Sequence, residues 1–102
     1  MYLNLTKEAT ELLLESTKDP DGEIIKFDTP AGTRVVTNGR NFNEELTQRS
    51  TVTWEKALHQ LWEKNLVSKE GSNEIYKLTK LGVEYADLIS NVERIEKTEN
   101  LW

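Results

Sequence analysis

Between Ala57 and Ile89 the chain reads ALHQLWEKNLVSKEGSNEIYKLTKLGVEYADLI, and its apolar residues change period twice within that span. Trp54, Ala57, Leu58 and Leu61 recur three and four apart, which lines one face of an α-helix, and Trp62 widens that face. Leu66 to Ser68 and Ile75 to Leu78 are short strand-forming runs on either side of a polar loop containing Gly71, so they pair as a hairpin. Thr79 then caps a second helix over residues 79–98. Asn65, between the first helix and the hairpin, stands where a left-handed residue ends a helix, a conformation Asn tolerates. Each amphipathic piece has to bury its apolar side against the others, so helix, hairpin and helix in so short a span leave few arrangements open.

The first half supplies the rest of the core. Thr6 is a good N-cap, Glu8 follows in the first turn, and Leu5, Ala9, Leu12, Leu13 and Ser16 recur at helical spacing. KDPDG ends that helix, because the residue before Pro20 is pushed out of the helical region and Gly22 frees the following turn. EIIKF and TRVVT, joined by DTPAG, predict a β-hairpin. NGRNFNEELTQR reads as turn and irregular chain with one helical turn around Glu44 to Leu46, after which Ser50 or Thr51 caps the helix that carries Trp54. Trp54 is expected in the core, and Trp62 is expected to pack under the second hairpin, with a half-exposed interface anchor as the alternative.

With 102 residues the chain forms one domain, 1–102, with one modest core. It has no cysteine, so disulfides, thiolate metal sites and a cysteine nucleophile are excluded. No basic leader or long apolar run opens the chain, which predicts a cytoplasmic protein and no membrane partner. The net charge is -5, and it divides into -3 for Met1 to Gly22, zero for Glu23 to Ala57 and -2 for Leu58 to Trp102. His59 is the only histidine, and with Glu55 and Glu63 four residues to either side it is expected to make an ordinary helix-surface contact rather than a metal or general-base site. Neither a phosphate-binding glycine loop nor a nucleophile elbow occurs, so the expectation is a non-enzyme with no cofactor and no metal.

The helix ALHQLWEKN, the strand LV, the polar hairpin, the returning strand ending in YKLT and the helix opening KLGVEYADLI resemble the second half of a winged helix-turn-helix domain. The resemblance implies an α+β, winged-helix-like domain: helix, β-hairpin, recognition-like helix over 50–64, wing over 66–78, and long C-terminal helix. It also implies a DNA contact through Arg49, Ser50, Thr51, Thr53 and Lys56, with His59 and Gln60 on the same polar face. The chain departs from that family where NFNEELTQRSTVT leaves room for about one turn of the positioning helix. The hairpin from Glu23 to Thr37 takes its place. Asn65 replaces the glycine commonest at the corner.

Charge decides between the two uses of such a scaffold. DNA binding requires neutralising several phosphates, and no segment here is net positive. The expected function is therefore a non-catalytic protein-interaction or regulatory domain, with a DNA-binding regulator as the alternative. Leu81, Tyr85, Leu88, Val92 and Ile95 are spaced 4, 3, 4, 3, the rhythm of a coiled-coil seam, with Ala86 and Ile89 outside it. That seam predicts a protein partner or a homodimer, with Tyr85, Leu88, Val92 and Ile95 as the contact residues.

Overall fold

The computed structural model describes residues 4–30, 32–42, 48–69 and 74–99, with residues 92–99 described by backbone alone. Their elements run α1 (Lys7–Ser16), β1 (Glu23–Thr29), β2 (Gly32–Thr37), β3 (Arg40–Asn41), α2 (Gln48–Glu63), β4 (Val67–Lys69), β5 (Ile75–Leu78) and α3 (Lys80–Glu99). The expected α+β class is observed, with the five strands in one antiparallel sheet of order β3-β2-β1-β5-β4.

Local chemistry explains most boundaries. The Thr6 hydroxyl accepts from the Ala9 amide at 3.1 Å and caps α1. After α1 the Asp19 carboxylate accepts from the amides of Asp21 and Glu23, each at 3.1 Å, so the acidic turn is an Asx turn. At the end of α2 the Leu66 amide donates to the Leu61 carbonyl and the Asn65 amide to that of Trp62, both at 3.0 Å. With Asn65 at φ 62° this is a Schellman motif, and buried Leu61 and Leu66 supply its apolar contact. Thr79 caps α3, its hydroxyl accepting from the Gly82 amide at 3.0 Å and donating to the Asn65 carbonyl at 2.6 Å.

Two expectations from the sequence are corrected. NGRNF is not irregular: Asn38 and Gly39 both have positive φ, 52° and 73°, and form a two-residue hairpin turn into β3. Asn-Gly is the residue pair that such a primed turn favours. Ser50 and Thr51 do not cap α2, because the helix already begins at Gln48 and both lie within its first turn. The helical turn expected around Glu44 to Leu46 lies outside the described residues, as does most of the loop of the second hairpin, residues 70–73.

The two hairpins become one sheet through β1 and β5, which pair in register at Glu23 with Lys77, Ile24 with Tyr76 and Ile25 with Ile75. Partners opposite each other in an antiparallel ladder share a face. Ile24, Val35, Thr37 and Tyr76 therefore look inward, where they meet Ala9, Leu12 and Leu13 of α1, Ala57, Leu58 and Leu61 of α2, and Tyr85 and Ala86 of α3 in a single core. Phe42 follows β3 into that core and packs on Trp54 with ring centroids 4.8 Å apart.

Candidate functional site

The face expected to touch DNA is only partly brought together. At 100° per residue along α2, Arg49, Thr53, Lys56 and Gln60 share one side while Ser50 and Thr51 point away from it. Thr53, Lys56 and Gln60 line an open groove of about 380 Å³ against Thr6 and Glu8 of α1. Gln60 is engaged there as a tie between helices: its carbonyl accepts from the Thr6 amide at 2.9 Å and its amide donates to the Asn4 carbonyl at 3.0 Å. A base edge would have to compete with both bonds.

Lys56 also borders a second groove, about 270 Å³, between α2 and the sheet, where Lys26, Glu55, His59 and Tyr76 meet. Its cations face carboxylates. Glu74 lies 3.4 Å from the Lys26 ammonium and 4.0 Å from that of Lys69, which in turn sits 6.0 Å above the Tyr76 ring. Burial disfavours the charge on Lys26, but Glu74 and then Tyr76 outweigh it, so its pKa is raised above the ordinary 10.5 and the ammonium is kept. His59 pairs with Glu63 one turn along. Arg40, a further cation of the same neutral segment, stands apart: it bonds Glu15 of α1 at 3.2 Å and covers the Phe42 ring at 4.3 Å.

Trp62 does not pack under the β4–β5 hairpin. It is 45% exposed at the end of α2, with the His59 ring 5.6 Å away, because the core-facing side of the helix is already filled by Ala57, Leu58 and Leu61.

Helix α3 carries two different stripes. Gly82, Tyr85, Ala86 and Ile89 turn toward the body of the domain, and Tyr85 is only 8% exposed. The seam expected from sequence is thus divided. Tyr85 belongs to the core together with Ala86 and Ile89, while Leu81 and Leu88 are 48% and 42% exposed on the neighbouring side. Val92 and Ile95, the other two residues expected in that seam, lie outside the residues whose side chains the structure describes. The sheet has its own uncovered side, where Ile25 and Phe27 are each 41% exposed. Sequence reasoning missed these two, since two isoleucines in succession conceal which face of a strand is buried.

No protein-family model, no curated protein and no solved structure matches the chain. What it can do has to be argued from these surfaces. Among the described residues no three histidine, aspartate or glutamate side chains are grouped to hold a metal ion, and no helix is long and apolar enough to cross a membrane.

Proposed function

We propose that the chain is a non-catalytic winged-helix module that works by protein interaction, associating through α3. The observation that carries this reading is the exposed pair Leu81 and Leu88, one heptad apart on a helix whose core-facing stripe is already buried elsewhere. A row of large apolar residues facing water marks a surface that is covered in use. Helix α2 and the β4–β5 hairpin supply the recognition helix and wing of the scaffold, and exposed Trp62 at their junction is suited to anchor a protein partner.

The test is the solution mass of the wild-type chain and of the variant carrying both Leu81→Glu and Leu88→Glu, each followed by circular dichroism. A wild-type oligomer and a folded, monomeric variant are expected. A wild-type chain that is monomeric at high micromolar concentration removes association with itself.

A DNA-binding role has one observation in its favour, the approach of Lys26 and Lys56 to a common groove beside α2. Glu55 and Glu74 lie there as well, and they weaken the phosphate attraction that such a site requires.

A further inference from the structure

Strand β1 is built the wrong way round for a sheet that covers one core and meets water on its other side. Its inward positions are Ile24, Lys26 and Asp28, and its outward ones are Glu23, Ile25, Phe27 and Thr29. Both large outward residues are exposed. Their patch is continuous, since Ile25 stands between Val36 of β2 and Ile75 of β5 in register, and Phe27 lies one step along the same strand face. Single exposed apolar side chains are ordinary, but four that are contiguous across three strands call for a cover.

We propose that this outer sheet face is the docking surface for α3 of a second copy of the chain. The inference rests on the reading of α3 given above and names what its exposed row packs against. Charge selects the occupant. The outer face carries Arg34 opposite Phe27 and Lys77 opposite Glu23, so the described positions around the patch hold two bases and one acid in a chain of net charge -5. The exposed row of α3 is bordered by Lys80, Glu84 and Asp87, all exposed, one base against two acids. Packing α3 on its twin would crowd these carboxylates together in a desolvated seam, whereas the sheet sets them beside Arg34 and Lys77.

Dimensions agree as well. Leu81 and Leu88 are about 10.5 Å apart along a helix, and Val36, Ile25 and Ile75 span two interstrand gaps, about 9.6 Å. A two-fold axis makes the helix-on-sheet contact twice, which closes the pair into an isologous dimer.

The chain has no cysteine, so single-cysteine variants report on one position each. Full-length Phe27→Cys and Leu88→Cys chains, mixed and oxidised, should give the 27–88 heterodimer in excess over the 88–88 homodimer. Phe27→Glu and Leu88→Glu should each weaken association at least about tenfold with helical dichroism unchanged. Mixing these two variants should restore a complex, because the intact sheet of one meets the intact α3 of the other. If Leu88→Glu dissociates the chain while Phe27→Glu does not, and only the 88–88 product forms, α3 pairs with its twin and the sheet proposal fails while the α3 reading stands. A wild-type monomer, or a mass unchanged by Leu88→Glu, overturns both. If Phe27→Glu loses its helical signal, the cysteine pair decides the matter.

Discussion

Gly82 lies directly against the carbonyl oxygen of Leu66: a Cβ added at 82 would sit 2.1 Å from it. The same carbonyl accepts the Thr79 amide at 3.0 Å, so the first turn of α3 is held on the corner that follows α2. In an ordinary helix Gly→Ala stabilises by about 1 kcal/mol. Here the obstacle is backbone, which cannot rotate aside as a side chain can. Gly82→Ala should destabilise the domain by about 1 to 3 kcal/mol, measured by urea unfolding. A variant more stable than wild type would show that α3 can slide off Leu66.

Leu58 and its neighbour His59 should behave oppositely. Leu58 is fully enclosed between α2 and the sheet, so Leu58→Ala should cost about 2 to 5 kcal/mol. His59 is exposed, with Glu63 and the Trp62 ring beside it, and His59→Ala should change stability by less than about 0.5 kcal/mol. Equal losses in melting temperature would contradict the assignment of the two faces of α2.

Acid should weaken the tie between α1 and the Asn38–Gly39 turn. Glu15 accepts from the Asn38 side-chain amide at 3.1 Å and from Arg40 at 3.2 Å; the Asn38 bond, opposed by burial and aided by Arg40 and Lys18, holds its carboxyl below the ordinary 4.5. A folded pKa below the unfolded one contributes stability that is complete above about pH 4.5 and is lost as pH falls through the folded value. Glu15→Gln should therefore be less stable than wild type at pH 7 and converge with it in acid. Denaturation midpoints at several pH values measure this, and a constant gap at every pH would refute it.

Generic duplex DNA should bind no more tightly than the weak non-specific range at physiological salt, since Glu55 and Glu74 stand beside Lys26 and Lys56 in the groove against α2. Fluorescence anisotropy provides the reading. A submicromolar complex that weakens steeply with added salt would establish the DNA-binding alternative.

Local signals were legible without tertiary structure wherever one residue's chemistry settles a local conformation. The Thr6 and Thr79 caps, the left-handed Asn65, the Asp19 turn and the β1–β2 hairpin each depend on a side chain acting within a few residues of itself. The Asn38-Gly39 turn was legible as a turn signal, but β3 was not, since a two-residue strand leaves no alternation to read.

The candidate surfaces were not legible in that way. Leu81, Tyr85 and Leu88 are equivalent by spacing, and only the approach of α3 to the Leu66 carbonyl sets the rotation that buries Tyr85 and leaves the two leucines outside. Likewise Ile24 and Ile25 are equal in β propensity, and the side of β1 that faces the helices is chosen by its pairing with β2 and β5. By itself the sequence determined the elements, their order and their caps, because those arise from contacts a few residues apart. The joining of two hairpins through β1 and β5, and with it the apolar faces left in water, was decided by tertiary structure, because backbone pairing across fifty residues carries no side-chain signature.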